Sequence, residues 1–310
     1  MDEEVSYVVV SELARGQMGI VAKVKSSVSK DVYAAKFSLS HHKKVLQNES
    51  DIHSRLVHPN IIQFITSFET VCPLGTIIEP LPGGPCGVVL LELCDSPVGV
   101  LKGDMVEIRK FTKQMVSALN YLYEQDIMHT DIKPPNILKC GELYKLADFG
   151  LARVVSKMAK PTAVVGTIHY LPPESIYLRY GFETDVWSLG VTIFQVAFGS
   201  LPWHGTTYPV WKKAILKEPP AIPPNADPEL SDLITKMLTV RYQDRISVQD
   251  ILKHPFLDYD AVDPQFESFK KHKIDFGDGS RDAFYLYLAN KNPNKTPMSM
   301  ATFTNLWDRL

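Results

Sequence analysis

The sequence is poor in cysteine and has no segment suited to crossing a membrane. It contains four cysteines, of which no two form a CxxC pair, and so small a number argues against a disulfide framework. No apolar run reaches the roughly 18 residues that a membrane-spanning helix needs. The N-terminus, MDEEVSYVVV, is acidic where a signal peptide begins with basic residues. These absences predict an intracellular protein, cytoplasmic or nuclear, with reduced thiols.

An excess of charge of either sign is also absent. The chain carries 33 basic and 35 acidic residues, a net charge of −2, so binding to nucleic acid or to an anionic membrane surface is not predicted. Hydrophobic residues make up 45% and charged residues 22% of the 310 positions, which is typical of globular proteins. This length is sufficient for one large or two ordinary domains.

Strand signals are concentrated in residues 1–94 and helix signals in residues 95–257. In the first part, β-branched or apolar runs lie between polar or glycine-containing turns. These runs are SYVVVSEL, GIVAKVKSS, DVYAAKFSL, IIQFITSFE and GVVLLELC. Between the third and fourth of these runs, segment 41–58 has the apolar spacing of a helix. Residues 70–87 are rich in proline and glycine and predict a long loop. The pattern predicts an α+β protein.

The second part contains four helix candidates. Residues 105–125 carry one apolar stripe and predict an amphipathic helix. Residues 185–199 are apolar nearly all round, which predicts a helix through the middle of a domain. Two further amphipathic segments are 228–238 and 247–256, and the second of these contains Pro255 as a stop. Residues 258–310 form a separate tail, whose aromatic residues predict that it packs.

One short segment, HTDIKPPNIL at 129–138, places three chemically useful side chains close together. Its two prolines exclude a helix through its middle. Asp131 is suited to accept a hydroxyl proton, Lys133 to neutralise a transferred phosphoryl group, and Asn136 to bind a metal ion. Further on, Asp148 in KLADFGLA offers an oxygen ligand for Mg²⁺. Taken alone, the segment is compatible with phosphoryl transfer or with an ordinary polar turn.

Three features of the first part are ambiguous in isolation. Gly16 and Gly19, in ARGQMGIV, suit either a phosphate-binding turn or a plain hairpin. Lys36, in VYAAK, suits either a phosphate ligand or a lysine that extends to solvent. Glu49 is either the partner of this lysine or part of a solvated helix face.

All these motifs together, in this order, resemble a eukaryotic-type serine/threonine protein kinase over residues 7–257. ARGQMGIV resembles the glycine-rich loop, YAAK the strand that carries the phosphate-binding lysine, and HTDIKPPN the catalytic loop. DFG resembles the metal-binding triplet, LPPE the end of the activation segment, and TDVWSLG the start of the central helix. A second DFG, at 275–277, lies beyond this region and is interpreted as a chance tripeptide.

The resemblance implies a two-lobed fold and an ATP- and Mg²⁺-dependent transfer of phosphate to protein hydroxyls. The small lobe, residues 1–94, would be a mostly antiparallel sheet with one main helix, and the large lobe, residues 95–257, mainly helical. Asp131 and Lys133 would be catalytic, and Asn136 and Asp148 would bind metal. The positions implied to bind nucleotide are Ala14, Gly16, Gly19, Val21, Ala34, Lys36, Glu49, Glu92, Cys94 and Leu138.

Further expectations rest on the same resemblance. Leu91 would be the gatekeeper, and Arg245 would pair with Glu174. Lys133 and Thr167 would indicate Ser/Thr rather than Tyr acceptors. FESF, at 266–269, weakly resembles a tail motif that docks on the small lobe.

The chain departs from the family at three positions. Ala14 replaces the first glycine of the loop, which predicts modestly weaker nucleotide binding provided that φ stays negative. Thr130 replaces the arginine that reads an activation-loop phosphate, so activation through Ser156 or Thr162 is not expected. His53 stands where an apolar residue usually stacks between the lobes, as a satisfied core histidine or a pH-sensitive contact.

Two other functions are compatible with this fold. A pseudokinase would use the fold for scaffolding, but it usually lacks one of the residues equivalent to Lys36, Asp131 and Asp148, and all three are present. A small-molecule kinase on a related fold fits less well, because GTIHYLPPES resembles a platform for a peptide substrate.

Overall fold

A computed structural model describes most of the chain up to residue 257. The described ranges are 6–16, 19–39, 43–71, 85–157, 166–205 and 208–257, with Lys273, Phe284, Tyr285 and Trp307 beyond them. The second DFG (275–277) and FESF (266–269) lie outside the described residues. The chain forms two compact units, Met1–Leu257 and Asp258–Leu310.

The N-terminal part of the first unit is an antiparallel five-stranded sheet with the order β1-β2-β3-β5-β4. Its strands are β1 (Tyr7–Gly16), β2 (Gly19–Ser26), β3 (Val32–Leu39), β4 (Phe64–Val71) and β5 (Pro85–Glu92). The strand β2 alternates between buried and half-buried side chains, as a sheet with one face on a core requires. The interior strand β5 is buried from Cys86 to Leu91, because apolar clusters cover both of its faces.

One helix, α1 (Lys43–His53), packs on this sheet. The contact is close because Gly87 of β5 has no side chain: a Cβ there would come within 1.8 Å of Leu46 Cδ2. Ile52 and Leu56 are both 5% exposed and belong to the core of the helical part. The helix and the segment after it therefore connect the two parts.

Helices dominate the remainder of the first unit. They are α2 (Met105–Glu124), α3 (Phe182–Phe198), α4 (Tyr208–Lys217), α5 (Pro228–Met237) and α6 (Val248–Ile251). Five short strands accompany them: β6 (Ser96–Pro97), β7 (Ile127–Met128), β8 (Ile137–Cys140), β9 (Leu143–Leu146) and β10 (Arg153–Val154). Strand β8 lies between β6 and β9, and β7 pairs with β10.

The helical core forms around α2 and α3. Asp104 caps α2 by accepting a hydrogen bond from the Glu107 N–H at 3.0 Å, and the predicted apolar stripe is its buried face. Helix α3 is buried on nearly all sides, as its composition predicts. These elements confirm the α+β arrangement, a small antiparallel β part with one main helix followed by a larger helical part.

The element boundaries differ from expectation in several places. Helix α1 ends at His53, before a turn at 54–55, and α6 has only four residues. Helix α4 was not predicted, because its sequence YPVWKKAILK contains a proline and is followed by two more. Its apolar face is nevertheless buried, and this face consists of Trp211, Ala214 and Ile215.

The second unit has few described residues, and three of them, Lys273, Phe284 and Trp307, form one cluster. Phe284 is fully buried, and its ring centroid lies 5.8 Å from that of Trp307. The Lys273 Nζ lies 5.1 Å from the centroid of the Trp307 ring. These tail aromatics are packed. Within the described ranges, no helix of either unit is long and apolar enough to cross a membrane.

Candidate active site

A carboxylate and an ammonium from the segment between β7 and β8 meet a hydroxyl from the segment between β10 and α3. The Lys133 Nζ donates to Asp131 Oδ2 at 2.6 Å and to Thr167 Oγ1 at 2.7 Å. The Thr167 hydroxyl donates to Asp131 Oδ1 at 2.8 Å. These two contacts hold both oxygens of Asp131, which is 9% exposed, in a defined orientation. Such a carboxylate can receive a proton from a hydroxyl that comes within hydrogen-bond distance of it.

The backbone before Asp131 is held by a buried acid from α3. The Asp185 carboxylate accepts hydrogen bonds from the His129 N–H at 2.6 Å and the Thr130 N–H at 2.8 Å. Burial raises the pKa of the Asp185 carboxyl above its usual value. Thr130 has φ 66°, a left-handed conformation that is uncommon for a threonine. The two N–H bonds stabilise this conformation and so determine the position of the Asp131 side chain.

A second charged cluster joins the sheet, helix α1 and the segment after β9. The Lys36 Nζ, on β3, donates to Glu49 Oε2 at 2.8 Å and to Asp148 Oδ1 at 2.7 Å. A Cβ at Gly150 would lie 3.3–3.4 Å from an atom of each of these three side chains. Glycine therefore permits the three charges to approach one another closely.

The charge states of this cluster follow from its geometry. Burial lowers the pKa of the Lys36 ammonium, but the Glu49 and Asp148 carboxylates outweigh burial, so the pKa is raised. Burial likewise raises the pKa of the Asp148 carboxyl, and the Lys36 ammonium outweighs it, so the pKa is lowered. Lys36 is therefore positive and Asp148 negative at neutral pH.

Asn136 and Asp148 provide hard oxygen ligands near each other. The Asn136 Nδ2 donates to the Asp131 backbone carbonyl at 2.9 Å, which leaves its amide oxygen as an acceptor. The Ala147 N–H donates to the Asn136 backbone carbonyl at 2.8 Å, which holds the residue before Asp148 against Asn136. An amide oxygen and a carboxylate suit Mg²⁺, so the donor set fits this cation.

Apolar side chains from the sheet and from β8 form one cluster beside these charges. Ala34, Leu91 and Ala147 belong to its buried core, and Val21, Cys94 and Leu138 pack against it. Four of the sequence-predicted nucleotide positions, Val21, Ala34, Cys94 and Leu138, are thus brought together. The fifth position nearby, Glu92, ends β5, and its carboxylate accepts a hydrogen bond from the Lys145 Nζ at 2.7 Å.

The turn between β1 and β2 closes at the pair Gly16 and Gly19. Gly19 has φ 148°, and a Cβ there would lie 1.8 Å from the Phe37 carbonyl oxygen of β3, so no larger residue fits. Around Gly16, by contrast, no atom of the described residues other than its chain neighbours lies within 4 Å of an added Cβ. Ala14 pairs with Val21 and is not among the described residues with positive φ, which satisfies the condition for tolerating alanine there.

The ring of Phe149 contacts two histidines behind these charges. Its centroid lies 4.6 Å from that of His53 and 4.9 Å from that of His129. The His53 Nε2 lies 2.7 Å from the Ile62 carbonyl oxygen. His53 is fully buried, and burial lowers its pKa to about 4. The ring is therefore a neutral core group at pH 7.

The sequence did not indicate the place of Asp185 in this site, nor the direct contact between Thr167 and Asp131. Asp185 holds the backbone before Asp131, although the sequence only indicated that it begins an apolar helix. Its signal was an acid inside an otherwise apolar run, which needs a buried partner. The contact of Thr167 with Asp131 was also unforeseen, because these residues are far apart in the sequence and only the fold brings them together.

Comparison with known proteins places the chain in a family. The model of the family described as "Protein kinase domain" matches residues 7–257. Serine/threonine-protein kinase 36 of Pongo abelii is 34% identical over 259 residues, covering 81% of this chain and 19% of that protein. Aurora kinase of Eremothecium gossypii is 32% identical over 244 residues, covering 78% of this chain and 63% of that protein.

A plant relative gives a similar result. Mitogen-activated protein kinase kinase kinase 2 of Arabidopsis thaliana is 29% identical over 289 residues, covering 91% of this chain and 43% of that protein. The chain therefore spans less than two thirds of the length of each of these relatives. Because residues 7–257 match the family description, the chain belongs to the protein kinase family and has its two-lobed fold.

Proposed function

We propose that this chain is a serine/threonine protein kinase that transfers the γ-phosphoryl group of ATP to a Ser or Thr hydroxyl of a protein. The observation that carries the proposal is the triangle of Asp131, Lys133 and Thr167, with contacts of 2.6, 2.7 and 2.8 Å. It combines a proton acceptor with a cation, and both side chains keep a small exposed fraction. The names of the relatives, serine/threonine-protein kinase and Aurora kinase, support the same activity.

Each side chain has a role that its contacts support. Asp131 orients the acceptor hydroxyl and takes its proton, while Lys133 stabilises negative charge on the transferred group. Lys36, held by Glu49, binds the α- and β-phosphates. Thr167 bonds to both Asp131 and Lys133, so it favours a small aliphatic hydroxyl next to it over a tyrosine.

The nucleotide would lie between the sheet and β8. Ala14, Gly16 and Gly19 would cover its phosphates, and Val21, Ala34 and Leu138 would enclose the adenine ring. Backbone groups of Glu92 and Cys94 would bond to its edge. Asn136 and Asp148 would hold Mg²⁺, which would supply positive charge against the phosphate groups during transfer. Residues 1–94, 95–257 and 258–310 would be the small lobe, the large lobe and a tail of unassigned role, in an intracellular protein.

The test is phosphorylation of a degenerate peptide array by the wild-type chain and by Asp131→Asn. Phosphoryl transfer should fall by about 10²–10⁴-fold, because both the proton acceptor and the orienting contact are lost. ATP affinity should change by no more than a few fold, since Asp131 contacts the acceptor. Asp244→Asn, an exposed acid on the large lobe, is the matched control and should retain full activity.

The outcomes separate the two candidate classes. Retention of more than a tenth of the wild-type rate in Asp131→Asn would remove this residue from the mechanism. ATP binding by a wild-type chain that phosphorylates no peptide would favour the pseudokinase. Phosphate on Tyr peptides instead of Ser or Thr peptides would overturn the specificity.

A further inference from the structure

Two thiols and a carboxylate meet where β5 leads towards β6. One ligand atom from each of Glu92, Cys94 and Cys140 lies within 4.8 Å of the other two, and all three residues are half-buried. Cys94 follows β5, whereas Cys140 ends β8. They are brought together because β6 pairs with β8, and the Asp95 N–H donates to the Lys139 carbonyl at 2.8 Å.

The Glu92 carboxylate is held in place by residues other than the two cysteines. The Lys145 Nζ donates to both Glu92 oxygens, at 2.7 and 2.8 Å, and the Gln63 N–H donates to Oε1 at 2.6 Å. The Cys140 thiol lies 3.9 Å from Oε2 and 3.9 Å from the Leu93 carbonyl oxygen. The Glu92 oxygen nearer to the thiol is therefore oriented by contacts that do not involve either cysteine.

We propose that Cys94, Cys140 and Glu92 form a binding site for a thiophilic divalent cation such as Zn²⁺. Zn²⁺ binds thiolate, imidazole and carboxylate ligands in a tetrahedron, with a fourth position open to water. Thiolate ligands also separate this site from the Mg²⁺ site, since Mg²⁺ requires oxygen ligands. On binding, each thiol releases its proton to the solvent and each sulfur forms a bond to the metal.

Charge and outer contacts both suit a dication here. The two thiolates balance the charge of the metal, and the Lys145 ammonium balances the Glu92 carboxylate. Lys145 would act as the outer partner that orients a ligating carboxylate, a recurring feature of metal sites. The bound ion would connect the segment after β5 to strand β8, beside Leu138. This inference does not depend on the proposed catalytic activity.

Titration with Co²⁺ tests the site directly. The full chain is purified in a phosphine reductant without nucleotide, freed of metal, and titrated while its absorption is recorded. One equivalent should produce a thiolate-to-cobalt charge-transfer band together with the visible bands of tetrahedral Co²⁺. Zn²⁺ should remove both, because it has a filled d shell. Absence of the charge-transfer band at saturating Co²⁺ would overturn the proposal.

Variants assign the band to its ligands. Cys94→Ser and Cys140→Ser should each abolish it, and Lys145→Gln should weaken binding by about 10–100-fold, as loss of an outer partner does. Cys86→Ala is the matched control and should keep the band, because Cys86 lies in the separate core of the sheet. A band that persists in Cys140→Ser, or that Cys86→Ala removes, would overturn the assignment.

A measurement on the wild-type chain guards against misfolded variants. Alkylation of thiols with and without Zn²⁺, followed by peptide mass spectrometry, should show that the metal protects Cys94 and Cys140 together. Equal alkylation of both residues under the two conditions would overturn the proposal. Because neither experiment requires ATP or a peptide, an inactive kinase would still bind the metal, and an active kinase could fail to do so.

Discussion

At the residue scale, His53 combines a buried ring with a single strong contact. Its Nε2 donates to the Ile62 carbonyl at 2.7 Å, so Nδ1 is the unprotonated nitrogen. Among the described residues, Nδ1 is one of three buried side-chain atoms without a hydrogen-bond partner. Protonation would place a charge at this nitrogen, next to Phe149 and in the field of the Lys36 ammonium. The folded protein therefore favours the neutral ring.

This preference predicts a loss of stability in acid. Burial lowers the pKa of His53 from 6.5 to about 4 in the folded chain. The unfolded state therefore binds more protons between these values. The contribution of the neutral His53 ring to the free energy of unfolding is complete above pH 6.5 and declines as pH falls towards 4. It is worth on the order of 3 kcal/mol.

The measurement is the free energy of unfolding in urea between pH 7.5 and pH 4, values chosen to bracket this titration. As pH falls, wild type should lose stability relative to His53→Leu, because leucine takes up no proton. His204→Gln, at an exposed position, is the control and should follow wild type. Parallel pH curves for wild type and His53→Leu would contradict the prediction.

At the scale of elements, Thr130 stands in the position of the arginine that binds an activation-segment phosphate in the family, and its side chain carries no positive charge. The Thr130 hydroxyl donates to the Leu151 carbonyl at 2.8 Å. The side chain that stands in the arginine position is therefore hydrogen-bonded to the backbone. At the described start of the segment, the Ser156 N–H donates to Asp126 Oδ2 at 3.0 Å. A phosphate on Ser156 would therefore meet a carboxylate, and Thr162 lies outside the described residues.

We expect activity that does not depend on phosphorylation of this segment. A phosphate carries a charge of about −1.5 to −2 and orders a segment only when cationic donors receive it. Ser156→Ala/Thr162→Ala, treated with phosphatase, should turn over peptide at the rate of untreated wild type, as should Ser67→Ala, an exposed control on β4. A loss of tenfold or more that a phosphorylating partner restores would contradict this.

At the scale of the whole first unit, one buried ion pair joins the end of the activation segment to the helical core. Arg245 donates to the two Glu174 oxygens at 2.6 and 3.0 Å. The same guanidinium donates to the Glu183 carbonyl at 2.7 Å and lies 4.9 Å above the Trp187 ring. The pair that the sequence predicted is thus present, and it links segments distant in the chain.

Removing one partner of this pair should destabilise the fold strongly. Glu174→Ala should lower the free energy of unfolding by about 3–5 kcal/mol, because it leaves the Arg245 charge buried and unpaired. The double variant Glu174→Ala/Arg245→Met should lose less than the single variant does. Asp244→Asn breaks an exposed pair with Arg241, so it should cost at most about 1 kcal/mol. Equal costs for Glu174→Ala and Asp244→Asn, measured in urea, would contradict the argument.

Much of this protein could be predicted because local patterns report local structure. The apolar spacing of α2 and the uniform apolarity of α3 depend on neighbours within a few turns, so both helices are recognisable in the sequence alone. The order of the motifs around Lys36, Asp131 and Asp148 likewise needs no tertiary information. By contrast, α4 was missed because the prolines within it and just after it indicate a loop. Trp211 is nevertheless buried in the folded chain.

The contacts that only the tertiary structure decided are between residues far apart in the chain. Thr167 meets Asp131, Asp185 holds Thr130 in a left-handed conformation, and Cys94 meets Cys140, although no spacing rule links these positions. Each depends on strand register or on the depth at which a polar group is buried. A side chain's sequence neighbours determine its propensity, but its pKa and its partners are set by the residues that the fold packs around it.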